Sequence, residues 1–86
     1  MAEIEKKLVG KVMNYFSKIN VAIIELSDSL VLGDRISVEG ATTDLQQTVE
    51  SMQMQHQAME KASEGDSIGL KTVDRCRKGD DVYKIG

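Results

Sequence analysis

An all-β domain is the fold class this sequence predicts, on three observations. Three Gly-Asp pairs, Gly33-Asp34, Gly65-Asp66 and Gly79-Asp80, each stand before a short stretch rich in β-branched or aliphatic residues. Gly accepts the positive φ of a tight turn, and Asp can hydrogen-bond back onto nearby amides, so each pair punctuates the chain between extended segments. Residues 35–39, Arg-Ile-Ser-Val-Glu, alternate apolar and polar with the period of a strand, Ile36 and Val38 inward and the polar residues outward. Finally, 86 residues are one domain's worth of chain, which at that size buries only about two-thirds of the surface exposed when unfolded.

The elements follow in order. Residues 1–7 form an N-terminal tail, and residues 8–86 a single domain. Residues 8–16 and 20–26 are two apolar-rich runs separated by Ser17-Lys18-Ile19, which predicts a hairpin. In the second run Ala22, Ile24 and Leu26 share one face and Val21 and Ile23 the other. Such a strand is buried on one side and at least partly covered on the other, as in a closed or nearly closed barrel. A turn at Ser27-Asp28-Ser29 leads to the strand at 35–39, and the short runs 67–72 and 81–85, each behind a Gly-Asp turn, supply closing strands.

Residues 43–62 give conflicting signals. Leu45, Val49, Met52, His56 and Met59 recur at spacings of 4, 3, 4 and 3, the period of a helix. Thr43 or Asp44 could cap it, Gln46 could complete a capping box with Thr43, and Gly65 stands just past its end. The alternative is a strand whose phase changes through a β-bulge near Glu50-Ser51, turning Met52 and Met54 inward. A helical turn within residues 55–63 fits either alternative.

Composition narrows the function. One Phe, two Tyr and no Trp leave little for an aromatic recognition platform, and a net charge of −3 is not that of a strongly basic nucleic-acid binder. The single Cys76 allows no internal disulfide, which predicts a reducing, cytoplasmic setting. The N-terminal residues do not resemble a secretory signal, and no apolar run approaches the ~20 residues that span a bilayer.

The ordered pattern Leu32-Gly33-Asp34-x-Ile36-x-Val38-x-Gly40, residues 48–54 (TVESMQM) and Ala62-x-x-Gly65-Asp66-x-Ile68-Gly69-Leu70 resembles domain 2 of elongation factor Tu and related translational GTPases. Residues 10–12, 15–19 and 22–26 are similar to small stand-alone prokaryotic proteins described as translation elongation factor-like. A similar barrel is attached to the C-terminus of some collagenase-like peptidase-family proteins. The resemblance implies a closed antiparallel β-barrel of about six strands, with residues 49–55 extended despite their periodicity. It also implies a non-enzymatic interaction module whose partner is RNA or a ribosome-associated protein, or alternatively a protein adaptor that ignores nucleic acid.

No chemistry-bearing constellation accompanies this pattern. Residues 65–72 resemble a phosphate loop superficially, but only three residues separate the glycines and Leu70 stands where Lys is required. Asp66 to Gly69 matches Asp-x-x-Gly without an Asn-Lys-x-Asp companion, so no nucleotide is expected. Neither His56 nor Cys76 has a partner at metal-ligand or nucleophile-base spacing, and neither metal nor cofactor is predicted. Asp80-Asp81 is predicted to be a turn with solvated charge. Met52, Met54 and Met59 are expected to fill gaps in a core short of aromatics. Lys71, Arg75, Arg77 and Lys78, four cations within eight residues, are the candidate contact surface for RNA or another partner, diluted by Asp74. Lys7, Lys11 and Lys18 form a more scattered basic set.

Overall fold

A computed structural model describes residues 6–55 and 57–85. His56 and the first five residues lie outside them. Among the described residues ten strands follow one another: β1 (Lys6–Phe16), β2 (Val21–Leu26), β3 (Leu30–Val31), β4 (Arg35–Glu39), β5 (Asp44–Thr48), β6 (Met52–Met54), β7 (Gln57–Met59), β8 (Lys61–Ala62), β9 (Ser67–Lys71) and β10 (Asp81–Ile85). Eight form one antiparallel sheet in the order β5-β4-β10-β1-β2-β9-β6-β7, and β3 and β8 pair separately. The all-β class is therefore what the molecule adopts, and the described residues contain no helix. The first hairpin joins β1 to β2, and β1 begins at Lys6, two residues ahead of the expected strand.

The Gly-Asp pairs share one geometry. Gly33, Gly65 and Gly79 have φ of 94°, 89° and 94°, the left-handed value of the third residue in a type II turn. In each turn the Asp amide donates to the carbonyl three residues back: Asp34 to Val31 (3.2 Å), Asp66 to Ser63 (3.0 Å), Asp80 to Arg77 (3.1 Å). The Asp carboxylate then accepts from the amide of that same residue, at 3.0, 2.9 and 2.7 Å. Two further bonds tie each turn to a distant buried residue. Gly33 donates to Val49 O (2.9 Å) while Val49 donates to Asp34 O (2.8 Å). The same exchange links Gly65 and Asp66 to Leu26, and Gly79 and Asp80 to Val12. Asp80 is consequently buried, which corrects its expected solvated role: its carboxylate closes the turn instead of meeting water.

The large sheet does not close, so the six-stranded closed barrel is corrected to an open, two-edged one. Edge strand β5 has a ladder only to β4, while β6 pairs with β9 over Met52–Leu70 and Gln53–Gly69 alone. What spans the seam is one side chain. The Gln47 amide on β5 donates from Nε2 to Lys71 O (2.9 Å) and accepts at Oε1 from Val73 N (2.8 Å). It acts as a surrogate peptide group where the ladder is missing.

The 4-3-4-3 spacing in residues 43–62 arises without a helix. Leu45 and Val49 are buried two strand periods apart. The chain then leaves β4 for β9, so the phase change near Glu50-Ser51 is a switch of partner strand in place of a bulge within one ladder. Met59 returns on β7 directly opposite Met52, buried on β6. Met52 joins the core as expected, Met59 is half-buried and packs against it, and Met54 is half-buried. Ser37, expected outward, is fully buried and donates its hydroxyl to Glu39 Oε2 at 2.8 Å.

The core is aliphatic, built from residues such as Val9, Val12, Ile24, Leu30, Ile36, Ile68, Leu70 and Val82, each at most 1% exposed. Tyr15 packs against it only in part. Replacing Gly65 with Ala isolates the backbone constraint, because an added Cβ meets nothing within 4 Å. The substitution is expected to cost about 1–2 kcal/mol in urea denaturation; an unchanged midpoint would remove the turn from the stability account. Gln47→Leu is expected to cost about 1 kcal/mol and to accelerate hydrogen exchange at the Val73 amide.

Candidate functional site

The four cations singled out in the sequence stand along two clefts and a turn. Lys71, on the outer face of β9, lines the seam cleft with Gln46, Thr48 and Glu50. Arg75 and Arg77 line a separate cleft against Thr42, Thr43 and Asp44, with Asp74 among its walls. Lys78 is exposed within the 77–80 turn. Among the described residues none of the four has a carboxylate within ion-pair distance, yet Asp44 and Asp74 offset the positive field where the two arginines meet. The segment itself is held internally: Thr72 Oγ1 donates to Asp74 O (2.7 Å), Arg75 N donates to Asp74 Oδ1 (2.7 Å), and Thr72 and Cys76 are buried.

Burial pushes the Cys76 thiol above its usual range, against the opposing effect of a hydrogen bond with Thr72. A thiol so protonated is a poor nucleophile, and the side chain serves as core packing. Among the described residues no three His, Cys, Asp or Glu side chains are grouped to hold a metal ion. No helix among them is long and apolar enough to cross a membrane. Of the scattered basic set, Lys7 pairs with Asp28 at 2.6 Å, while Lys11 is exposed on β1 and Lys18 on the hairpin tip.

A different feature emerges on the outer face of β2 and β9. Alternation sends Ala22, Ile24 and Leu26 into the core and leaves Val21 and Ile23 half-buried outside. Ile23 pairs with Gly69, which in turn pairs with Gln53, so the middle of this outer row has no side chain. A Cβ there would stand 3.3 Å from Val21 Cγ1 and 3.7 Å from Ile23 Cδ1. The β1–β2 tip supplies one wall. Asn20, at φ 54°, turns the chain, Ile19 N donates to Phe16 O (3.3 Å), and Thr72 N donates to Asn20 O (2.8 Å), fixing the tip to the end of β9. Phe16 and Ile19 remain 45% and 59% exposed beside a groove of about 260 Å³ floored by Val21, Ile23 and Gly69. The sequence carried a signal for it, an Ile within the hairpin loop, where exposure of an aliphatic side chain has no local rationale.

No protein-family model matches the chain. An uncharacterized protease of Methanocaldococcus jannaschii is 41% identical over 78 residues, 90% of this chain and 19% of that protein. A collagenase of Porphyromonas gingivalis is 37% identical over 83 residues, 94% of this chain and 23% of its own length. The chain thus spans about a fifth of the curated relatives it matches. Two crystal structures of the C-terminal domain of a Geobacillus thermoleovorans protein assigned to the U32 peptidases superpose with TM-scores of 0.86 and 0.85 at 15% identity. They cover 91% of this chain and 99% and 91% of theirs. The fold is that of a U32 peptidase C-terminal domain.

These findings correct the translational assignment. The relatives are named protease and collagenase, and the solved neighbours are U32 C-terminal domains, in place of elongation factor Tu domain 2 or a translation elongation factor-like protein. The RNA-binding module inferred from that resemblance falls with it, and the expectation of a non-enzymatic protein is corrected by relatives named protease and collagenase. Of the resemblances drawn from the sequence, only the barrel carried by collagenase-like peptidases points toward these relatives.

Two ion pairs brace the start of β1 and give the U32-type fold a defined pH response. Lys6 Nζ donates to Glu39 Oε2 (2.7 Å) and Lys7 pairs with Asp28, and these bonds hold both carboxyls below and both ammonium groups above their usual ranges. Depressed carboxyls stabilise the fold above their unfolded pKa values near 4 and lose that contribution as pH falls through the folded values. Raised ammonium groups stabilise it below about 10.4 and lose it as pH rises further. The urea midpoint is therefore expected to be level between roughly pH 5 and 8 and to decline on both sides, the alkaline decline beginning where the Cys76 thiol, raised by burial, ionises more readily in the unfolded chain. Asp28→Asn with Glu39→Gln is expected to flatten the acid limb; an unchanged limb would exclude these pairs as its source.

Proposed function

We propose that this chain is the C-terminal-type β-domain of a U32 peptidase and serves peptide-bond hydrolysis by that protein as a rigid scaffold that positions the remaining polypeptide. The observation carrying the proposal is the match itself: 41% identity extends across 90% of the chain while spanning only 19% of the M. jannaschii protease. A match of that proportion is what one domain of a larger peptidase gives. Its construction suits a scaffold, because three clamped turns and the Gln47 bridge lock the backbone on several sides. The partner is accordingly protein. A cytoplasmic setting is supported by the single free and buried Cys76.

A graft into the P. gingivalis collagenase tests this. Deleting the segment matched by this chain is expected to lower gelatin hydrolysis at least about tenfold, and inserting this chain in its place to restore activity to within about threefold of the intact enzyme. A graft no more active than the deletion would overturn the proposal.

A further inference from the structure

We propose that the groove beneath the β1–β2 tip is the face on which this domain docks an uncharged, apolar surface of the rest of the peptidase polypeptide, an inference that rests on the peptidase reading above. Isolated exposed apolar residues are ordinary on a small protein. Here they are gathered. Phe16 and Ile19 overhang the same depression into which the outward side chains of Val21 and Ile23 project, and Gly69 leaves its centre open.

The lining also lacks charge. Among the described residues nine bound the groove and none is Asp, Glu, Lys or Arg, whereas a surface drawn at the chain's own 29% charged composition would hold two or three. Depletion of charge around aromatic and aliphatic side chains marks the centre of a protein interface, while a solvated face or an anion site would show the opposite. The other clefts differ in this respect: Glu50 and Lys71 stand in the seam cleft, and Asp44, Asp74, Arg75 and Arg77 in the cleft beside residues 42–45. The tip is fixed as well as apolar, since the Thr72–Asn20 bond holds it against β9, so little ordering remains to be done on docking. The occupant follows from proportion. In each curated relative the matched segment is only about a fifth of the polypeptide, which leaves four-fifths of a chain to pack against it.

Hydroxyl-radical footprinting of this chain alone and within the collagenase graft decides the matter. Phe16 and Ile19 are expected to react readily in the isolated chain and at least about fivefold more slowly in the graft, while exposed Val73, outside the groove, reacts equally in both. Phe16→Ser with Ile19→Ser is expected to leave the melting of the isolated chain unchanged and to reduce gelatin hydrolysis by the graft. Should that variant fail to fold, footprinting of the unsubstituted protein still decides. An active graft in which Phe16 and Ile19 stay as reactive as in the isolated chain overturns the groove assignment and leaves the peptidase reading standing. An inactive graft overturns both. Protection that grows with concentration in the isolated chain would give the groove to a second copy and overturn the stated occupant.

Discussion

The reciprocal clamp at each Gly-Asp pair is the constraint on which the architecture depends. A small sheet protein with a single cysteine and only three aromatic side chains has little burial with which to offset chain entropy, so its loops must be fixed by hydrogen bonds. Each turn here satisfies four backbone or carboxylate bonds and ties itself to a buried residue on another part of the chain, Val49, Leu26 or Val12. The turns thus do more than reverse direction: they join segments that the strand ladders leave apart.

That constraint also explains how an unclosed sheet can stay curled. With β5 and β7 as edges, nothing in the ladder pattern brings β5 against the end of β9. The Val49 clamp anchors the chain immediately after β5, and the Gln47 side chain then meets Lys71 and Val73 across the gap. A side-chain amide offers one donor and one acceptor in peptide-like geometry, enough to bridge a seam but too little to make a ladder. The same curl puts Ala22, Ile24, Ile68 and Leu70 inside and leaves the second faces of β2 and β9 outside.

Functionally, the molecule presents surfaces more than chemistry. Lys6, Lys7, Asp28 and Glu39 are braced in surface ion pairs, and Cys76 is withdrawn into the core. The shallow groove over Gly69 is, among the clefts described, the one that combines aromatic and aliphatic walls with an absence of charge. A scaffold carrying one uncharged apolar face suits a domain that occupies a fifth of a longer peptidase in its relatives.

Turns and clear alternation were legible in the sequence because their physics is local. A Gly that must take positive φ, an Asp within reach of its own turn, and Ile36 and Val38 two apart on one face need no knowledge of distant residues. The first hairpin and the strands at 35–39 and 81–85 follow on the same grounds. Residues 43–62 were not legible, since Leu45, Val49, Met52 and Met59 satisfy a helical period while Leu45, Met52 and Met59 actually lie on three strands and Val49 on the link after β5. The groove was half visible, through the two apolar faces of residues 21–26 and the unexplained Ile19, but its shape required Gly69 and Gln53 to arrive beside Ile23 from far along the chain. Whether the sheet closed was likewise undecidable locally, because edge pairing depends on long-range register and loop closure, and only the folded chain shows Gln47 standing where a ladder would have been.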